Sequence, residues 1–174
     1  VSILTGTGFT TEDFGSWGNF SSFFFIILMF VGGCSASTTC GIKIFRFQIL
    51  NLFIKKQIKQ IIYPNGVFPM KYRGEAIGDT LLTSVLTFVF LYIFIFFILT
   101  ALLSLSGLDF VTAISAAATS LSNVGPGLGE VIGPNGSFKY LPDLTKWYLS
   151  FGMLLGRLEF FTVLVLFLPS FWRS

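Results

Sequence analysis

Histidine is missing altogether, and charged residues make up only 11% of the chain. The first absence removes the commonest general base and a frequent metal ligand, and with it any catalytic triad built on imidazole. The second places the chain outside the range of soluble domains, in which about a quarter of residues are charged. Cysteine is also scarce. Cys34 and Cys40 both lie in apolar surroundings, which argues against a disulfide framework or a zinc site. No carboxylate pair stands in a polar pocket, so an enzyme is not expected. The chain opens at Val1 with no initiating methionine and no charged stretch ahead of an apolar run. No signal peptide is read there, and a fragment is expected.

What the chain has instead is apolar surface: 53% hydrophobic residues, 18% aromatic, and a mean hydropathy of +0.82. Such a chain belongs in a membrane. Phe14–Ile42 and Thr80–Leu108 contain no charged residue, and a helix needs only about 20 apolar residues to cross the hydrocarbon core. Trp147–Trp172 is also long enough but carries Arg157 and Glu159 in its middle. The segment Glu75–Ser106, crowded with Phe and Leu, predicts a membrane helix hydrophobic all round, lying against lipid or other subunits.

Between the long segments sits Ser122–Gly129 (SNVGPGLG), directly after the small-residue stretch Phe110–Leu121. Glycine admits positive φ and close backbone approach, so this loop reads as a site lined by main chain. Asp109 stands at a helix N-cap, and Val111–Leu121 is too short to span but suits a half-helix. Irregular backbone survives at membrane depth only where protein buries it or water fills a cavity beside it. Carbonyls facing water in a membrane are what an ion selectivity filter requires.

A second Gly/Thr loop, Ser2–Phe9 (SILTGTGF), aligns with Thr119–Pro126 at one constant offset: Leu4 with Leu121, Thr5 with Ser122, Gly8 with Gly125. Each loop is followed by a polar, acidic stretch and then an apolar helix with a central glycine, Gly33 in one and Gly156 in the other. The chain therefore reads as two copies of a loop-plus-helix unit, as internal repeats of transport folds do. The first copy is interrupted. Gly32–Gly41 (GGCSASTTCG) puts glycines and hydroxyl residues at the expected bilayer centre, before Ile42–Ile54 resumes a helical pattern with Lys43 and Arg46. Small residues can also serve close helix packing, but a run this long without one large aliphatic favours a loop hanging into a wet pathway.

Asn51–Gly74 holds Lys55, Lys56, Lys59, Lys71 and Arg73 around a Pro64-Asn65-Gly66 turn, and the positive-inside rule places it in the cytoplasm. Glu12, Asp13, Asp109, Glu130 and Asp143 then fall on the opposite side, as cation-attracting groups or as ordinary loop residues. Arg157 has no cheap explanation, since an arginine at the centre of an apolar helix costs about 2.5–3.5 kcal/mol by insertion scales. Either it pairs with a carboxylate or it lines a permeation path as a barrier or gate. Glu159 lies on another face of the same helix and is expected to serve a different one. Phosphate sites are not expected. Thr5-Gly6-Thr7-Gly8 lacks the third glycine of a dinucleotide fingerprint, and neither loop ends in Gly-Lys-Ser/Thr. The basic residues of 51–74 suit a lipid surface or a docking subunit, not a nucleic acid.

The stretches SNVGPGLG and GRLEFFTVLVLFLPSFWRS strongly resemble the C-terminal end of the membrane subunits of bacterial Trk potassium uptake systems, in the Trk/Ktr/HKT superfamily. LTGTGF, GGCSASTTCGIK and YPNGVF resemble that family's third repeat and connecting loop. The resemblance covers essentially the whole chain. It implies an all-α integral membrane protein made of K⁺-channel-like repeats of helix, pore loop and helix. Residues 1–50 would hold the third-repeat filter loop and its broken second helix, 51–74 a cytoplasmic connecting loop, and 75–174 the complete fourth repeat.

The resemblance further implies potassium uptake of the symport class, with K⁺ held only at the filter residues Thr5, Gly6, Thr7 and Gly8, and Ser122, Asn123, Val124 and Gly125. The first loop carries Gly6 where a non-glycine is expected. The gate would comprise Gly32, Gly33, Cys34, Ser35, Ala36, Ser37, Thr38, Thr39, Lys43 and Arg157. Expected partners are the missing N-terminal half, a second copy of the subunit, and a cytosolic TrkA-like nucleotide-binding ring. No cofactor is expected here, because nucleotide belongs to that ring. The location implied is the bacterial inner membrane, with 51–74 and the C-terminus in the cytoplasm. A non-conducting membrane scaffold, its glycines used for packing and Arg157 as an interhelical tie, is the competing reading.

Overall fold

The computed structural model describes the chain apart from Ser35, Ala36, Thr38, Arg73, Glu130, Glu159, Leu168 and Ser174, and describes the backbone alone of Ser16, Asn19, Glu75, Phe161, Leu164, Phe167, Ser170 and Arg173. The described residues are mostly helical. In chain order they form α1 (Ser2–Thr5), α2 (Asn19–Phe30), α3 (Ile44–Ile62), the short strands β1 (Lys71–Tyr72) and β2 (Glu75–Ala76), α4 (Asp79–Leu105), α5 (Phe110–Ser122), α6 (Asp143–Leu158) and α7 (Phe160–Phe167).

The longest element is α4, whose 27 residues reach roughly 40 Å at 1.5 Å per residue, more than the ~30 Å hydrocarbon core. Among the described residues it is the helix long and apolar enough to cross a membrane. Its uniform hydrophobicity hides a division of labour. Leu82, Val85, Phe88, Tyr92, Leu99 and Leu103 are buried along one face, while Leu86, Phe90, Phe94 and Phe97 are exposed on the other. The helix starts at Asp79, because Glu75–Ala76 pairs in an antiparallel hairpin with Lys71–Tyr72.

Against the inner face of α4 lies α5, the short helix anticipated from its small residues. Asp109 caps it through Oδ2, which accepts from the Val111 amide at 3.3 Å. Everything from Ser115 to Ser122 is buried. Ala, Ser and Thr have no bulk to hold neighbours off, so α4 on one side and α6 on the other approach α5 closely. The contact with α6 falls at Gly152 and Gly156, one turn apart: a Cβ on Gly152 would stand 3.0 Å from Ser120 Oγ, and one on Gly156 would strike the Leu121 carbonyl oxygen. One core joins Leu99, Leu103, Ala116, Ala117, Leu121 and Phe160; a second joins Ile3 and Met29 with Ala118, Val124 and Leu128.

Two elements differ from the sequence expectation. Within the apolar stretch Phe14–Ile42 a 3-10 turn forms at Phe14–Trp17 and the α-helix runs over Asn19–Phe30, so Gly33 lies beyond that helix and is no counterpart of Gly156. The polar segment read as a loop from Asn51 is helical as far as Ile62, because Lys55, Lys56 and Lys59 interleave with helically spaced isoleucines. Tyr63–Gly66 then makes the turn, the Gly66 amide donating to the Tyr63 carbonyl at 3.0 Å. The last apolar segment is helical on either side of Glu159, as α6 and α7, and is followed by a 3-10 turn at Pro169–Arg173.

Candidate functional site

The two Gly/Thr loops have the same backbone construction. After α1, Gly6 takes the left-handed conformation (φ 69°, ψ 19°), its amide donating to Ile3 O at 3.2 Å and the Thr7 amide to Ser2 O at 3.0 Å. After α5, Asn123 does the same (φ 50°, ψ 42°), its amide donating to Ser120 O at 3.2 Å and the Val124 amide to Thr119 O at 3.1 Å. Both are Schellman caps, in which a left-handed residue satisfies the last helical carbonyls. Gly6 therefore occupies the position glycine fits best, and its partner carries asparagine, among the few side chains that tolerate it. Two residues on, Gly8 (φ 79°) and Gly125 (φ 115°) are left-handed in turn.

These loops touch. A Cβ on Gly8 would collide with the Val124 carbonyl oxygen and stand 3.3 Å from Pro126 Cδ, and one on Gly125 would stand 3.8 Å from Gly8 Cα. Main chain from both loops thus meets at one point, with no side chain between.

Hydroxyl groups brace the second loop from behind. Ser122 Oγ shares a 2.8 Å hydrogen bond with Tyr92 Oη of α4, and Thr119 Oγ1 accepts the Gly125 amide at 2.9 Å. Asn123 Nδ2 donates to the Met153 carbonyl of α6 at 3.0 Å. Ser115 Oγ both accepts the Leu128 amide at 3.0 Å and reaches the Leu128 carbonyl at 3.1 Å. Replacing it by alanine leaves a buried amide without its partner, a penalty of about 1–3 kcal/mol. Ser115→Ala is accordingly expected to lower the melting temperature of the complete protein in detergent, and an unchanged melt would show that another group takes up the amide. In the first loop Thr5 and Thr7 join hydroxyls at 2.9 Å, while Thr5 Oγ1 also bonds back to Val1 O and Ser2 O.

Where α2 stops at Phe30 the backbone forms a bridge in place of a helical turn. The Gly32 amide donates to Ile42 O and the Ile42 amide to Phe30 O, each at 2.9 Å, and the Ile44 amide to Gly33 O at 3.2 Å. The ends of the insertion, Gly32–Gly33 and Gly41–Ile42, are therefore stitched together, so polar groups freed by the helix break find partners. Gly32 and Gly41 fit because each packs against the other strand of this bridge. Within the loop the Ser37 amide donates to Cys34 O and the Thr39 amide to Ser37 Oγ. Ser35, Ala36 and Thr38 of the expected gate lie outside the described residues.

This loop reaches both the first Gly/Thr loop and α6. Thr39 Cγ2 would be 3.5 Å from a Cβ on Gly6, and Arg157 Nη1 donates to Cys40 Sγ at 3.6 Å. Arg157, Cys40, Thr39, Lys43 and Arg46 line a cavity of about 190 Å³. Lys43 is the N-cap residue of α3. Arg46 was not singled out from the sequence, although it stands one helical turn after Lys43 and so shares its face. Its guanidinium lies 3.5 Å from the centre of the Phe88 ring, a cation–π contact that ties α3 to α4.

Several acidic residues expected around an outer mouth have local work. Asp13 Oδ1 accepts the Gly15 amide at 2.9 Å, Asp109 caps α5, and Asp143 pairs with Lys146 at 3.0 Å. Glu130 and Glu159 lie outside the described residues. Among the described residues no three His, Cys, Asp or Glu side chains come together in a way that could hold a metal ion. Where the two loops meet, the groups in contact are main chain, the Val124 carbonyl oxygen lying against Gly8.

Known proteins resemble this chain in sequence and in fold. Residues 1–174 match the TrkH family, described as cation transport protein. The Trk system potassium uptake protein TrkI of Halomonas elongata is 49% identical over the whole chain, which covers 35% of that protein, and TrkH of Vibrio parahaemolyticus is 39% identical at the same coverage. The crystal structure of the potassium transporter TrkH from Vibrio parahaemolyticus superposes with a TM-score of 0.89 at 38% identity, over 99% of this chain and 36% of that one. The chain thus spans about a third of the length of these relatives. With every residue inside the family match and a superposition this close, the chain belongs to the TrkH family of membrane cation transport proteins.

Proposed function

We propose that this chain supplies two of the walls of a potassium pathway, with K⁺ coordinated by main-chain carbonyls of Thr5–Gly8 and Ser122–Gly125. The observation that carries the reading is the contact of two identically capped loops at Gly8 and Val124–Gly125. Left-handed residues two apart depart from the alternation of a strand, in which successive groups face opposite ways. Such a backbone can turn several carbonyls to one side, as a ring that replaces the hydration shell of an ion requires. The remaining walls belong to the part of the polypeptide outside this chain. Transport of the symport class would take its coupling groups from there too.

In this reading Gly32–Thr39 and Lys43 form an intramembrane gate beneath the filter, and Arg157 holds it through Cys40. A fixed unit charge about 8 Å from a passing cation, at an effective dielectric near 20, opposes it by roughly 2 kcal/mol, or about 30-fold in rate. Residues 51–74 and the C-terminus face the cytoplasm of a bacterial inner membrane, where the basic face of α3 meets a TrkA-like nucleotide-binding subunit. The complete subunit pairs with a second copy, binds no cofactor itself and catalyses no reaction.

The test is rescue of K⁺-uptake-deficient bacteria at low external K⁺ by the complete protein, beside its Arg157→Ala variant. Growth, with Rb⁺ uptake up to about 30-fold faster in the variant, is expected. Well-expressed protein in the membrane with neither rescue nor flux would overturn the pathway and leave a scaffold role.

A further inference from the structure

Tyr92 is 1% exposed and contacts Ser122, Phe30 and Phe160, residues beside the second loop, the inserted loop and Arg157. Its hydroxyl shares the 2.8 Å hydrogen bond with Ser122, the last residue of α5 before the second loop. Its ring meets Phe30 edge-on at 5.9 Å between centroids, and Phe30 is the residue at which α2 gives way to the inserted loop. It meets Phe160 edge-on at 5.4 Å, three residues after Arg157. Phe88, which carries the Arg46 guanidinium on its face, lies against Phe160 at 5.4 Å and Tyr92 at 6.2 Å. Of the rings around Tyr92, Phe88 lines the Arg157 cavity itself, Phe30 is the last residue of α2 before the inserted loop, whose Ser37, Thr39, Cys40 and Gly41 line it, and Phe160 follows Arg157 by three residues. The one polar side-chain atom of Tyr92 is bonded to Ser122.

Close-packed rings do not deform continuously, so a shift at the roots of Phe30 and Phe160 must move the ring between them. That ring ends in a hydroxyl fixed to Ser122. Edge-to-face aromatic contacts and a buried hydrogen bond are directional, and both transmit position as well as energy. We propose that Tyr92 is a positioning residue through which the gate sets the geometry, and so the ion preference, of the Ser122–Gly125 filter loop. The proposal rests on the filter and gate assignments made above.

The test uses the complete protein reconstituted in liposomes, reading K⁺ and Na⁺ flux for Tyr92→Phe, Ser122→Ala and the double variant, each with and without Arg157→Ala. Phenylalanine keeps the ring packing and removes only the hydroxyl. Tyr92→Phe and Ser122→Ala are each expected to raise the Na⁺/K⁺ flux ratio about fivefold, with the double variant no worse than either. Arg157→Ala is expected to shift that ratio in the tyrosine protein and to leave it unmoved in the Tyr92→Phe protein, although total flux rises in both. A purely structural role would lower the melting temperature without moving the ratio. Ratios unchanged by Tyr92→Phe, or effects that multiply independently, would overturn the proposal. Gly125→Ser separates the two levels: if it shifts the ratio while Tyr92→Phe does not, the coupling alone is wrong. If neither shifts it, the filter assignment has failed.

Discussion

Gly8→Ala is expected to abolish K⁺-selective uptake by the complete protein, while Gly125→Ala retains a measurable fraction and Gly6→Asn transports nearly as the parent does. All three positions are left-handed, which costs an L-residue roughly 1–2 kcal/mol. Space then separates them. At Gly8 the new methyl group would run into the Val124 carbonyl oxygen, with Pro126 Cδ 3.3 Å away, and neither main chain nor a proline ring can step aside. The carbonyl it displaces is one of those assigned to K⁺. At Gly125 the nearest atom is Gly8 Cα at 3.8 Å, an ordinary contact, so only the backbone strain remains. At Gly6 a Cβ would meet just the Thr39 methyl at 3.5 Å, and the equivalent residue Asn123 already carries a side chain in this conformation. Rb⁺ uptake and the Rb⁺/Na⁺ ratio decide the order. Parental uptake by Gly8→Ala, or greater damage from Gly125→Ala, would show that the two loops do not meet as described.

The features legible in the sequence are those that local chemistry dictates. Asp109 ahead of a small-residue run announced α5, and glycines at matching positions of the two loops announced left-handed backbone, because both are properties of a few adjacent residues. The likeness of the two Gly/Thr loops was legible for the same reason, and their backbones make equivalent hydrogen bonds at Ser2 and Thr119. The family resemblance set Arg157 against the inserted loop, and Arg157 does reach Cys40, but contacts between distant segments were not legible from local sequence. Nothing near Gly156 says that it abuts Leu121, nothing near Cys40 says that Arg157 reaches its sulfur, and Arg46 declared itself only through the Phe88 ring. The extent of α3 was missed because lysines were read as loop composition when their spacing with isoleucine was helical. The stitched ends of the inserted loop were missed because a bridge between Val31 and Ile42 leaves no local mark in either residue.

The contact between α5 and α6 gives the largest expected loss of stability, at Gly156→Ala. In an isolated helix this change is favourable by up to about 1 kcal/mol, since glycine is the poorer helix former. Packing reverses the sign. The added methyl group would overlap the Leu121 carbonyl, with its carbon at 2.7 Å, and would stand 3.1 Å from Asn123 Nδ2, so α6 must move away from the end of α5. Gly152→Ala, one turn earlier, meets the Leu99 methyl at 2.8 Å and the Ser120 hydroxyl at 3.0 Å. Both of those can rotate aside. Overpacking costs typically 1–3 kcal/mol, with Gly152→Ala expected at the low end and Gly156→Ala at or above the high end. The displacement also pulls the Met153 carbonyl from Asn123 and Arg157 from Cys40, so the damage extends to function. The complete protein carrying Gly156→Ala is therefore expected to melt well below its Gly152→Ala counterpart and to leak Na⁺ in the fraction that folds. Equal melting of the two variants would mean that α6 does not approach α5 at Leu121. The path from Arg157 to the filter would then have to run through α4 alone.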